Sequence, residues 1–245
     1  MSQDFRFKEF TIKQDRCAMK IGTDGVLLGA WAHIPNTTYS ILDIGAGTGV
    51  IALMLAQRSQ ARLIDALEID EDAYEQCVDN FENSPWGDRL FCYHADLDEF
   101  TEEFSSEEDE TNENYDLIVS NPPYFAPALA KETSEARKKA RFYDALPFED
   151  LLTNAVKLLA KDGTFQTIIP FAEYDRFIFL AQKVQLNLQR VTWVKGNQNA
   201  PVKRVLLQLG FEELPLQENT LIIEKYRHVY TEEYIGLVKD FYLKL

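Results

Sequence analysis

The run Ser40-Ile41-Leu42-Asp43-Ile44-Gly45-Ala46-Gly47-Thr48-Gly49, followed by Val50-Ile51-Ala52-Leu53-Met54-Leu55-Ala56, constrains this chain more than any other segment. Tyr39 to Ile44, ahead of the glycine cluster, predicts a strand. Gly45, Gly47 and Gly49 let the backbone turn tightly and come close to a ligand where a Cβ would clash. The apolar helix expected over 50–58 begins with free N–H groups that favour an anion. Strand, glycine turn and helix together open an alternating α/β fold.

The rest of the chain repeats the alternation. Strands are expected over 62–69, 89–94, 115–120 and 163–170, with helices over 25–32, 71–82, 151–159 and 174–184. Two late strands, 188–194 and 204–211, have no helix between them. Their linker carries Gly196, two Asn and Pro201, so it predicts a hairpin with one strand antiparallel. A final amphipathic helix is expected over 231–243. Phe5, Phe7, Phe10 and Ile12, interleaved with Arg6 and Lys8, make an extended lead-in. The expected fold is therefore α/β, a mostly parallel seven-stranded sheet with one antiparallel strand and helices on both faces. The 245 residues, 46% hydrophobic, suit one domain spanning 1–245, in which 1–38 form an N-terminal extension.

Charge narrows the function less than expected. The formal net charge of −15 argues against a nucleic-acid partner, because phosphates need local positive potential. Ten of the acids lie within residues 98–116, which hold no base, and without them the remainder carries −5. That stretch reads as a solvated acidic loop. Cys17, Cys77 and Cys92 are odd in number and far apart, as in a reduced cytoplasmic protein, and His33, His94 and His228 are equally scattered. No metal site is expected. No apolar run is long enough to span a bilayer, and Met1-Ser2-Gln3-Asp4 lacks the features of a signal peptide.

Three further elements follow the strands. Glu68 ends the second strand, where a carboxylate can accept hydrogen bonds from both hydroxyls of a ribose; Asp70 is its rival. Asp96 follows the third strand and can accept from an adenine amine. Asn121-Pro122-Pro123-Tyr124 directly follows the fourth. An aromatic or amide nitrogen is a poor nucleophile because its lone pair is delocalised. Two acceptors aimed at its N–H bonds localise that pair: the Asn121 side-chain carbonyl and the Pro122 backbone carbonyl, converging because the prolines restrict the backbone. Tyr124 offers a face on which a base can stack. The glycine loop alone does not choose between a nicotinamide cofactor and S-adenosylmethionine. The dinucleotide pattern fails from Gly45, where Val50 takes its last position, and survives from Gly47 only in the form ending at Ala52.

Together these elements resemble the class I S-adenosylmethionine-dependent methyltransferases that modify planar nitrogens. The resemblance narrows at the ends of the chain. The stretch from Asp15 to Trp31, Ser84-Pro85-Trp86, Ala140-Arg141-Phe142-Tyr143, Arg204-Val205-Leu206-Leu207, Tyr230-Thr231-Glu232-Glu233-Tyr234 and Phe241-Tyr242-Leu243 are similar to the bacterial tRNA1(Val) adenine-N6 methyltransferases. That resemblance covers nearly the whole chain. It implies a cytoplasmic, Rossmann-like enzyme that methylates adenine 37 of a tRNA, with S-adenosylmethionine as cofactor. It also implies an N-terminal extension packed over the cofactor site, with Lys20, Gly22 and Thr23 closing on the methionine end. From the residues alone, Thr23 or Asp24 could equally cap a helix. The candidate cofactor set is then Lys20, Gly22, Thr23, Asp43, Gly45, Gly47, Gly49, Glu68, Ile69, Asp96, Leu97 and Asn121. The catalytic set is Asn121, Pro122 and Tyr124. The acidic stretch is longer than that family usually carries.

Basic residues for RNA are Arg137, Lys138, Lys139 and Arg141, soon after the Asn-Pro-Pro-Tyr motif, and Lys195, Lys203 and Arg204 around the hairpin. Each run also reads as an ordinary solvated face. A monomer is favoured. Competing readings are N-methylation of another RNA base or of a protein glutamine, and, from a different class, a nicotinamide-dependent dehydrogenase, which leaves Asn121 to Tyr124 without a task. Cytosine-C5 chemistry needs a thiol nucleophile, and all three cysteines lie outside that motif.

Overall fold

The computed structural model describes residues 4–106, 114–123 and 146–244. The first strand of the sheet, β3 (Ser40–Ile44), is buried at every position, as its apolar run requires. Two short strands precede it, β1 (Phe5–Arg6) and β2 (Thr11–Ile12). After it come β4 (Leu63–Glu68), β5 (Leu90–His94), β6 (Tyr115–Ser120) and β7 (Leu159–Pro170). Then follow β8 (Asn187–Asn197), β9 (Val202–Gly210), β10 (Gln217–Tyr226) and β11 (Val229–Tyr230). The order across the main sheet is β11-β10-β8-β9-β7-β6-β3-β4-β5. The chain runs from β3 outward to β5, then returns to the other side of β3 as β6. That reversal opens a crevice at the carboxyl ends of β3 and β6, where open α/β sheets bind ligands.

Helices cover both faces. One face carries α1 (Thr23–Trp31), α2 (Val50–Arg58) and α3 (Glu71–Glu82); the other carries α4 (Leu97–Ser106), α5 (Phe148–Leu158) and α6 (Tyr174–Lys183). A last short helix, α7 (Glu232–Val238), starts at Thr231, whose hydroxyl accepts from the Tyr234 N–H at 3.2 Å. It is shorter than the helix expected over 231–243. The two ends of the chain meet in an aromatic cluster, with Phe7 bridged to Tyr242 and the Lys8 N–H donating to the Phe241 carbonyl at 2.9 Å.

Two further features differ from the expected pattern. Among the described residues the sheet has nine strands, because β10 and β11 extend it. β10 shows little apolar alternation and is largely exposed; main-chain pairing along β8 holds it. The expected hairpin is present as β8–β9. β9 is antiparallel to both β8 and β7, so β8 and β10 point the same way as β7. The acidic stretch is not a loop from its start, since Leu97–Ser106 is helical. Leu97, Phe100 and Phe104 recur at helical spacing and pack against the second core. Asp98 and Glu99 fall in the helix's first turn, where the positive end of the dipole favours them. Residues 107–113 of the stretch lie outside the described residues.

Candidate active site

The glycine turn sits at the crevice. Gly45, Gly47 and Gly49 take φ of +74°, +55° and +76°, a region costly for any residue with a Cβ. The Gly45 and Ala46 N–H groups both donate to the Leu67 carbonyl, at 2.9 and 3.0 Å, so the turn leans over the end of β4. A Cβ on Gly45 or Gly47 would meet nothing within 4 Å, so these two positions face an open cradle. Gly49 differs: a Cβ there would lie 2.6 Å from Phe81 and 2.9 Å from Cys77 Sγ. Its smallness lets α3 pack against the turn.

Glu68 is at the edge of the cradle. Its Oε2 accepts from the Gly47 N–H at 2.7 Å and its Oε1 from the Asp70 N–H at 3.0 Å. Burial raises its pKa above the ordinary carboxylate value, while these backbone donors pull it back and the Asp70 charge pushes it up again. Each carboxylate oxygen still has a lone pair to offer a ribose hydroxyl. Asp70, the rival, is occupied as the cap of α3, accepting from the Ala73 N–H at 2.9 Å. Ile69 is 45% exposed beside it, an apolar surface suited to the face of a base. The open cradle, the anion-favouring start of α2 and the strand-end carboxylate fit a nucleoside-bearing cofactor.

The side chains of Asp43 and Leu97 are both turned into the interior. Asp43 is fully buried beneath the turn, where Oδ2 accepts from the Ala52 N–H at 3.1 Å and so fixes the start of α2. Burial pushes its carboxyl up to about 7, against the pull of that hydrogen bond and with a further push from Glu68. The Leu97 side chain belongs to the second core. Asp96 directly precedes α4, its Oδ1 accepting from the Asp98 N–H at 2.8 Å.

The N-terminal segment is fastened beside the cradle by residues that sequence reasoning missed. Asn80 of α3 is 2% exposed. Its Nδ2 donates to the Thr48 and Lys13 carbonyls, both at 2.9 Å, and its Oδ1 accepts from the Lys13 N–H at 2.9 Å. Gln76, one turn earlier and 1% exposed, accepts from the Arg16 N–H at 3.2 Å. The Arg16 guanidinium pairs with Glu75 and Asp79 at 3.2 and 2.9 Å. Cys17 is buried, which pushes its thiol up to about 12, with the charges of Glu68, Asp70 and Asp15 adding to the effect; the segment therefore passes close to the Glu68 carboxylate. The only sequence signal was two amides on the buried stripe of an amphipathic helix. Lys20, Gly22 and Thr23 follow on the surface. The cap of α1 is Gly22, without a side-chain bond, and Thr23 is its first helical residue, which settles the choice between Thr23 and Asp24 against both. Asp24 instead binds Arg204 of β9 at 2.7 Å, so the guanidinium grouped with the RNA residues is engaged there.

Asn121, Pro122 and Pro123 leave the sheet at the same level as the glycine turn. Ser120, the last residue of β6, is in register with Ile44, and its hydroxyl donates to the Ile44 carbonyl at 2.9 Å. Asn121 is half-buried and Pro122 buried. Tyr124, Arg137, Lys138, Lys139 and Arg141 lie outside the described residues. Lys203 is exposed, and Lys195 Nζ donates to the Gln198 carbonyl at 2.8 Å. Among the described residues no group of three His, Cys, Asp or Glu could hold a metal, and no helix is long and apolar enough to cross a membrane.

The comparisons agree with this geometry. Residues 25–195 match the model of the methyltransferase small domain, and the chain belongs to that family. The fold is shared with a predicted O-methyltransferase, protein Atu636 from Agrobacterium tumefaciens (TM-score 0.67, 17% identity, 89% of this chain and 96% of that one). It is shared also with M. jannaschii TYW2 in complex with AdoMet (TM-score 0.55, 18% identity, 87% of each chain). Among the chain's relatives are proteins described as tRNA1(Val) (adenine(37)-N6)-methyltransferase. It is 55% identical to the protein of that description from Christiangramia forsetii, over 100% of this chain and 99% of the relative. It is 56% identical to the one from Flavobacterium psychrophilum, over 98% and 100%.

Proposed function

We propose that this chain methylates N6 of adenine 37 in tRNA1(Val), using S-adenosylmethionine. The observation that carries the reading is the joint exit of the glycine turn and Asn121-Pro122-Pro123 from neighbouring strands, locked together through Ser120 and Ile44. Full-length kinship with proteins described by that activity supports the substrate. The cofactor supplies an electrophilic methyl group on a sulfonium. Glu68 would hold its ribose, Ile69 would flank its base, and the turn at Gly45 and Gly47 would admit it. Asp96 and the backbone of Leu97 would meet its adenine, and Lys20 to Thr23 would cover the methionine end. The Asn121 and Pro122 carbonyls accept from the substrate amine and localise its lone pair toward the methyl group. The amine so held would be poised to take the methyl group that the cofactor would supply, and its proton would pass to solvent. No ionised base is required. Tyr124 would stack on the target base. Arg137, Lys138, Lys139, Arg141, Lys195 and Lys203 would meet phosphates on an otherwise acidic molecule. The reading implies work in the cytoplasm, where tRNA is found.

The test is incubation with labelled cofactor and total tRNA, followed by nucleoside analysis and mapping. N6-methyladenosine at position 37 is the expected product. Label in protein, or in another base, would move the assignment to a glutamine or to a different RNA site. Asn121→Ala should bind cofactor normally yet lose about a hundredfold or more in single-turnover methyl transfer, because its contact strengthens toward the transition state.

A further inference from the structure

A second concave site opens on the rim of the sheet that bears the crevice. It is a groove of about 520 Å³ whose lining includes Phe171, Trp193, Lys195, Val202 and Ile222. Register places it. Arg204 of β9 pairs with Pro170 of β7 and with Val194 of β8, so Trp193 and Lys195 flank the level at which β7 ends. Phe171 follows that end directly. β8 lies three strand steps from β6, roughly 14 Å from the strand that delivers Asn121. That distance would put the groove within reach of nucleotides that neighbour a base held at the Asn-Pro-Pro loop.

Its chemistry is that of a stacking platform. Trp193 is held on three sides: its Nε1 donates to Glu218 at 2.6 Å, Tyr174 meets it edge-on at 4.9 Å, and Phe171 at 5.9 Å. Phe171 is 47% exposed, so part of its ring is open to a partner. Two lysines stand at the groove, against the charges of Asp175 and Glu218 that act on Tyr174. Lys195 lines the groove and Lys203 is exposed on the adjoining strand. Glu173 pairs with Arg176 and Asp24 with Arg204, while Glu218 is engaged by the indole. Flat apolar rings beside lysine ammonium groups form the pattern by which proteins bind single-stranded nucleic acid.

We propose that this groove takes one unpaired base of the tRNA anticodon loop, other than the target adenine. That base stacks on Phe171 against the fixed Trp193, with Lys195 on the adjacent phosphate. The inference rests on the tRNA reading above. Phe171→Leu keeps apolar bulk but removes the ring; Phe171→Tyr keeps the ring; Lys195→Gln removes one charge. The probes are tRNA1(Val) transcript and its isolated anticodon-loop oligonucleotide. Binding is measured across a salt series, beside methylation kinetics and cofactor affinity. The expected result is a rise of roughly five- to a hundredfold in the Kd and KM for RNA in Phe171→Leu, with kcat moving far less. Near wild-type binding is expected in Phe171→Tyr, and a salt slope about one unit shallower in Lys195→Gln. Wild-type RNA affinity in both Phe171→Leu and Lys195→Gln, in an enzyme that still methylates the transcript, would overturn the groove and leave the tRNA reading standing. A wild-type protein that neither binds nor methylates tRNA would overturn both.

Discussion

Asn80 couples the N-terminal segment to the glycine turn, and removing its amide should appear in cofactor binding before it appears in folding. The side chain makes three hydrogen bonds of 2.9 Å from a site 2% exposed. Each such bond is worth about 1 kcal/mol net. Asn80→Ala returns the Lys13 groups to water, because Lys13 is exposed, but strands the carbonyl of the buried Thr48. The total cost is about 2–4 kcal/mol, shared between folding and the geometry of the turn. If a third to a half of it falls on the turn, affinity for S-adenosylmethionine drops about tenfold. Asn80→Asp sharpens the test. A carboxylate cannot donate to the Thr48 and Lys13 carbonyls, so it should bind cofactor worse than Asn80→Ala at neutral pH. Protonation restores one donor, and affinity should recover as pH falls. Calorimetric titration with S-adenosylmethionine, alongside thermal melts with and without it, reads both effects. A lowered melting temperature with wild-type cofactor affinity in both variants would refute the coupling.

Other residues give independent checks. Glu68→Gln keeps the shape but removes the charge, and should weaken S-adenosylmethionine binding by about ten- to a hundredfold, the range for hydrogen bonds to a charged group, as read by calorimetry. Asp43 is protonated in the folded state up to about pH 7, although its unperturbed value is 3.8. The folded state therefore holds a proton that the unfolded chain has lost, and stability should fall as pH rises from about 4 to 7. Asp43→Asn should remove up to about 4 kcal/mol of that slope, and denaturant melts across the window with an unchanged slope would discount the burial argument. Arg204→Gln and Asp24→Asn should show a coupling of no more than about 1 kcal/mol in a double-mutant cycle, as expected for a partly exposed ion pair. If Arg204→Gln instead flattens the salt dependence of tRNA binding by about one unit, the guanidinium turns to a phosphate in the complex.

What could be read in the sequence was chemistry whose parts lie close together along the chain. Positive φ at Gly45, Gly47 and Gly49 is demanded by a turn of a few residues, and Glu68 is placed by the strand it ends. The parallel core was equally legible, because burial on both faces of β3 and β6 leaves near-continuous apolar runs. α4 was hidden because its acids drowned a three-residue apolar stripe; a charge count is blind to spacing, and only the spacing of Leu97, Phe100 and Phe104 carries the helix. β10 was hidden for another reason. Its partner is the backbone of β8, and only Leu221 and Ile223 reach the first core, so side-chain pattern marks the strand weakly.

The same logic explains why half of the site's support was invisible. Asn80 meets Lys13 across 67 residues and Asp24 meets Arg204 across 180. Neither pair has a local signature, because an amide on a helix stripe or an arginine near a hairpin satisfies many neighbourhoods equally well. Such contacts join elements that the sheet has already positioned: α3 is carried by β4 and β5, and β9 is clamped between β7 and β8. The residues proposed to touch reacting groups sit where strands end, and motif reading names them. The residues that hold those groups in place sit on helices and late strands, fixed by topology. Variants of that second set should alter binding constants without touching the chemical step, which is why Asn80 rather than Asn121 is the sharper test of whether the fold is assembled as described.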